Sequence, residues 1–185
     1  MNTISKIKEI FMVIILIFLE PALVQAEELL SCNELKVKAS QALNLTHLHD
    51  TELGNSFFKY DNNQDIDVVC GLPIPFVNLT WKNGIPRNEF YETASRLMAI
   101  LGVSSHNLNV KTAKFCIQYG AKKNINITII YKNLHFDCST SKGNMENTIL
   151  TISNMSEDEK ANLGTDTKII PEAPWLREVK YINEE

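Results

Sequence analysis

The chain has 185 residues, with 18 Lys and Arg against 22 Asp and Glu, for a formal charge of −4. Residues 27–154 hold twelve acids and twelve bases, and residues 155–185 hold eight acids and four bases. A balanced body with an acidic end lacks the basic face a nucleic-acid partner needs and the basic helix an anionic membrane surface needs.

The N-terminus sets the compartment. Met1 to Glu9 carries Lys6 and Lys8, Ile10 to Leu19 is ten apolar residues in a row, and Pro21 breaks the run. Val24-Gln25-Ala26 then offers small residues where a signal peptidase cuts. The apolar run is shorter than the about 20 residues that span a bilayer. Residues 1–26 therefore read as a cleaved export signal, with no membrane association afterwards. The remaining 159 residues are enough for one domain with its own core.

Cys32, Cys70, Cys116 and Cys138 follow the signal. An even count bound for an oxidising compartment predicts two disulfides. No pair has C-x-x-C spacing, so neither a zinc knuckle nor a thioredoxin-type site is expected. Leu29-Leu30-Ser31-Cys32 has the outline of a bacterial lipidation site, but Glu27 and Glu28 stand where such a signal is apolar. Cys32 is read as disulfide-bonded, neither lipid-anchored nor a reactive thiol.

In chain order, Ser31 and Glu34 form an S-x-x-E capping box with Leu30 and Leu35 as its hydrophobic staple. Leu35, Ala39, Ala42 and Leu43 continue as one apolar stripe of a helix that fades near Asn44 to Thr46. His47 to Asn63 is polar and reads as mostly loop. Ile66, Val68 and Cys70 alternate with Asp67, Val69 and Gly71 as a short strand, and Phe76 to Trp81 is a second, with Val77, Leu79 and Trp81 on one face. Lys82-Asn83-Gly84 turns the chain. Pro86 opens a helix whose apolar positions are Phe90, Ala94, Leu97, Met98 and Leu101, closed by Gly102. Ser104 to Ala121 reads as another helix.

From Ile125 to Cys138 the period-2 pattern changes phase between Lys132 and Asn133. A straight strand would then swap its buried face. A two-residue hairpin pairs Tyr131 with Leu134, Ile129 with Phe136 and Ile127 with Cys138, and keeps every apolar residue on one side. Lys-Asn is a poor type I′ turn, and a bulge is the alternative. Ser141 to Asn144 turns, and Asn147 to Ser153 is a third strand with Leu150 and Ile152 inward. Beyond Met155, Ser156 and Glu159 form a second capping box, Gly164 ends a short helix, and Pro171 and Pro174 punctuate an extended piece. Trp175, Val179 and Ile182 share one side of a last helical turn.

These elements predict an α+β fold: an antiparallel sheet of about five strands with three helices packed on one face, stapled by disulfides. Residues 27–154 are expected to be the domain and 155–185 an acidic tail packing on it. Cys70 and Cys138 lie on inward strand faces, and Cys32 and Cys116 on helices, so Cys70–Cys138 and Cys32–Cys116 are the expected bonds.

Three groups carry chemistry. Asp61, Asn63 and Asp65 place oxygens at alternate positions as a calcium loop does, but Ile66 and Leu72 stand where an EF-hand needs glycine and glutamate. His47 and His49, adjoining Asp50, would share a strand face and could bind a metal. His135 and Asp137 share the polar face of a strand as an acid/base pair, with Ser139 too far along to be a nucleophile. Asn44, Asn78, Asn126 and Asn154 each begin an N-x-S/T sequon. The expectation is an exported, non-catalytic binding protein, periplasmic or extracellular, with a protein partner and no cofactor. A small secreted hydrolase with dispersed residues and a calcium-stabilised structural module are the alternatives.

Overall fold

A computed structural model of the chain describes residues 29–82, 84–123, 125–140 and 147–180, with only the backbone of Thr140. The export signal at 1–26, Asn83, the expected turn at Ser141 to Asn144, and Ile182 lie outside the described residues.

Those residues form four helices and one nine-stranded, wholly antiparallel sheet. In chain order they are α1 (Cys32–Leu43), β1 (Thr46–Asp50), β2 (Ser56–Lys59), β3 (Gln64–Val69), β4 (Phe76–Lys82), α2 (Asn88–Ile100) and α3 (His106–Lys123). Then come β5 (Ile127–Tyr131), β6 (Leu134–Thr140), β7 (Asn147–Asn154), α4 (Glu157–Asn162), β8 (Thr167–Ile170) and β9 (Ala173–Val179). The sheet order is β1-β2-β3-β4-β7-β6-β5-β9-β8.

The expected α+β class holds, with nine strands and four helices in place of about five and three. α1, α2 and α3 cover one face. The core lies between them and the inward residues of the strands, among them Ile66, Val77, Leu79, Ile129, Leu134, Phe136, Leu150 and Ile152, all fully buried.

The predicted local signals form. Ser31 caps α1 in a reciprocal capping box with Glu34, and Ser156 caps α4 with Glu159. The hairpin register is Tyr131 with Leu134, Ile129 with Phe136 and Ile127 with Cys138. In its turn Lys132 takes a positive φ of 56°.

Two stretches depart from expectation. His47 to Asn63, expected as loop, contributes β1 and β2. All five residues of β1 are exposed, so no alternation of apolar and polar residues marks it as a strand. Trp175 to Val179, expected as a helical turn, is strand β9, which pairs with β5 and β8. Its alternation is hidden because Glu178 occupies an inward position. Within residues 155–180, β8 and β9 thus extend the sheet beyond β5.

Glu178 is 8 % exposed. It accepts from the Tyr119 hydroxyl at 3.1 Å and from Lys123 Nζ at 3.0 and 3.2 Å, and Lys168 Nζ lies 3.4 Å away. Burial pushes its pKa up, but Lys123, Tyr119 and Lys168 together hold it below the ordinary 4.5. A carboxylate with a depressed folded pKa contributes stability that is complete above its unfolded pKa and is lost as pH falls through its folded value. Glu178→Gln should therefore cost about 1–3 kcal/mol at neutral pH, and the gap to wild type should close as pH drops below 4.5. Urea melts at neutral and acidic pH read this directly. A gap that stays constant overturns the assignment.

The disulfides join Cys32 to Cys70 and Cys116 to Cys138. The expected Cys70–Cys138 bond fails because β4 and β7 lie between β3 and β6. Three strand spacings of about 4.8 Å make about 14 Å, twice the reach of a disulfide. The expected Cys32–Cys116 bond fails because each helix is bonded to its own part of the sheet. For α3 the approach is close at Gly120, where an added Cβ would meet the Ile125 carbonyl oxygen at 3.2 Å and the Cys138 carbonyl oxygen at 3.6 Å.

The two halves of the chain follow one plan. α1 is followed by the meander β1 to β4, and α3 by the meander β5 to β7. The last strands of the two meanders, β4 and β7, pair antiparallel at the centre. Each half has one disulfide, from its helix to the next-to-last strand of its meander or the residue just beyond it.

Candidate groove and polar sheet face

The face of the sheet opposite α1–α3 is polar. Strand register lines up His49, Phe57, Asp67, Asn78, Thr151, Asp137 and Thr128 in one row across seven strands. Thr151 Oγ1 donates to Asn78 Oδ1 at 2.7 Å, and Thr128 Oγ1 donates to Asp137 Oδ1. His49 stacks on Phe57 with ring centroids 4.6 Å apart. Burial, then the neighbouring Asp65 charge, raises the pKa of Asp67, against opposing pulls from His49 and Lys82.

His135 and Asp137 lie on this face but engage different neighbours. Asp137 is held by Thr128, whereas His135 lines a cavity of about 200 Å³ with Ile130, Asp158, Glu159 and Asp166, where α4 meets the sheet. The two candidates thus share one strand face, with Thr128 bonded to Asp137 and the α4 cavity beside His135.

The calcium candidates are also divided. Asp61 Oδ1 accepts from the backbone N–H groups of Asn63 at 2.6 Å and Gln64 at 2.7 Å, and its Oδ2 accepts from Gln64 Nε2 at 2.8 Å. This carboxylate organises the β2–β3 turn, as aspartate does in an Asx turn. Asp65 pairs instead with Lys82 across β3 and β4. Among the described residues, no three His, Cys, Asp or Glu side chains are grouped to hold a metal ion. Asp61→Ala should cost about 1–2 kcal/mol through the lost turn bonds. Calcium or EDTA should leave the melting temperature of the wild type unchanged. A calcium-dependent rise that Asp61→Ala abolishes would restore the metal reading.

The sequence missed a polar cluster at the β1–β2 edge. In β1 the register slips between His47 and His49: His47 faces Phe58, His49 faces Phe57 and Asp50 faces Ser56. Leu48 is the extra residue of a bulge. Two consequences follow. His47 and His49, expected on one face, point to opposite faces. His47 and Asp50, three apart, come to the same one. Asp50 Oδ1 accepts from the Ser56 hydroxyl and from His47 Nε2 at 3.1 Å, with Lys36 Nζ at 4.0 Å. The Ser56 bond first, and the His47 bond second, hold the Asp50 pKa below its usual 3.8. Nothing in the sequence marks the bulge, so no spacing rule could have found the trio.

This cluster lines a shallow, open groove of about 470 Å³. Asn33, Lys36, Val37, Ser40 and Gln41 of α1 make one wall, and His47, Asp50, Ser56 and Phe58 of β1 and β2 make the other. The residue types are those of a serine hydrolase, but the order is wrong. Asp50 sits between serine and histidine, so the Ser56 proton is directed at a carboxylate of lowered basicity and not at an imidazole. The arrangement suits recognition: a fixed anion, with Lys36 and His47 around it and the exposed Val37 side chain beside it.

Comparison with known proteins finds no matching family model, no matching curated protein and no matching solved structure.

Proposed function

We propose that this is an exported, non-catalytic binding protein, and that its partner engages the groove between α1 and the β1–β2 edge. The observation that carries this reading is the groove itself. One wall is a helix flank with Val37 53 % exposed, and the other includes an edge strand with all five residues exposed. A shallow depression with a fixed anion and one exposed apolar side chain leaves room for a polypeptide segment, and a free sheet edge adds backbone donors and acceptors for an extended one. The two disulfides are compatible with an oxidising compartment, and no described helix is long and apolar enough to cross a membrane.

The test uses the full chain with a C-terminal tag, expressed in its native cells and recovered from the exported fraction without reductant. Its mass should correspond to a start at Glu27. A partner retained by wild type should be lost by Lys36→Glu combined with His47→Ala, in protein whose melting temperature is unchanged. Equal retention by the two proteins overturns the groove assignment. Recovery only from the unexported fraction overturns export.

A further inference from the structure

We propose that Cys32–Cys70 is a thiol-exchange site that regulates the groove, while Cys116–Cys138 is a permanent staple. The regulatory consequence rests on the groove reading above, whereas the exchange chemistry does not.

The two bonds occupy matching places in the two halves of the chain but differ in access. Cys116 and Cys138 are 0 % and 1 % exposed, beneath α3. Cys32 and Cys70 are only partly buried, and Cys70, just past the end of β3, leads into a loop whose Leu72 is 58 % exposed. An attacking thiolate must reach a sulfur along the S–S axis, so access decides which bond exchanges.

The leaving group is also favourable on this side. Cys32 is the first residue of α1, directly after the cap Ser31. There the free N–H groups and the helix dipole stabilise a thiolate. Glu34 is the opposing charge, and its carboxylate is already engaged by the Ser31 backbone N–H at 2.9 Å and the Ser31 hydroxyl at 2.7 Å.

The reductant is a dithiol, such as that of a C-x-x-C oxidoreductase. Its thiolate bonds to Cys70 Sγ, the Cys32–Cys70 bond breaks, and the electron pair departs on Cys32. The second thiol of the donor, once deprotonated, displaces Cys70 from the mixed disulfide. The donor leaves oxidised to a disulfide, and its two protons end on Cys32 and Cys70.

α1 does not depend on this bond alone. Ala39 and Leu43 remain buried in the core, so the helix stays docked while its first turn is released. Asn33 and Lys36, which line the groove, lie in or next to that turn. Exchange therefore alters the groove without unfolding the protein.

The experiment starts from the oxidised full-length exported protein. It is exposed briefly to limiting dithiothreitol, and free thiols are trapped with iodoacetamide. After full reduction, the rest are trapped with N-ethylmaleimide and the peptides mapped. Cys32 and Cys70 should carry the first label, with a rate about tenfold or more above that of Cys116 and Cys138, and amide exchange should rise only around residues 31–36. Equal rates for the two pairs, or loss of the cooperative melt when only Cys32–Cys70 is open, overturn the proposal. Partner retention separates the two readings. If selective opening leaves retention unchanged while Lys36→Glu abolishes it, regulation is overturned and the groove stands. If Lys36→Glu has no effect, the groove falls, and the labelling order alone decides the exchange site.

Discussion

Phe136→Ala should destabilise the protein by about 3–5 kcal/mol, the range for truncating a fully buried aromatic side chain. Phe136 is 0 % exposed and stands in β6 between Ile129 of β5 and Ile152 of β7, under the helical layer. The loss combines the transfer term of the ring with the cavity left behind, because two flanking strands fixed by register cannot close over the space. A domain of this size has a total stability of about 5–15 kcal/mol, so the variant would keep a cooperative but much weaker transition. Urea denaturation should show a lower midpoint with the same slope. Phe57→Ala is the control. Phe57 is of the same type, but it lies on the polar face and is only partly buried, so its loss should be well under half as large. Similar losses at the two positions would mean that the polar face around Phe57 is packed as tightly as the core.

How far the fold could be read from sequence followed from how local the deciding interaction is. The capping boxes at Ser31 and Ser156 need only residues three apart, and both form. The phase change at Lys132 and Asn133 implied a hairpin because burial on one face admits one register, and that register is observed. Strand β1 gave no signal, since an edge strand with no buried residue has no alternation to read. Strand β9 gave a misleading one, because the inward Glu178 is neutralised by Lys123 and Lys168, which are distant in sequence. The disulfide pairing was illegible for a related reason. The pleat showed that Cys70 and Cys138 face inward, but not that β4 and β7 separate them. The same limit hid the groove. Its His47–Asp50–Ser56 contact depends on a single bulge residue, Leu48, whose side chain and neighbours carry no distinguishing feature.

Removing Cys116–Cys138 by paired alanine substitution should cost about 4–6 kcal/mol, more than the about 3–4 kcal/mol expected for the paired alanine variant of Cys32 and Cys70. Loop length alone predicts the opposite order. The bonds close separations of 22 and 38 residues, and the longer loop restrains the unfolded chain slightly more. That difference is only about 0.5 kcal/mol, because closure entropy grows with the logarithm of length. The folded state decides the order. Cys116 and Cys138 are among the core residues between α3 and the β5–β7 meander, so removing their sulfurs also leaves unfilled volume beneath a helix already held close at Gly120. Cys32 and Cys70 are only partly buried against the core, so removing their sulfurs leaves less enclosed volume. Paired urea melts of the two double variants measure the difference without any knowledge of the partner. If the Cys32 and Cys70 variant proves the less stable of the two, its bond is a main support of the fold, and opening it could not leave the remaining structure intact.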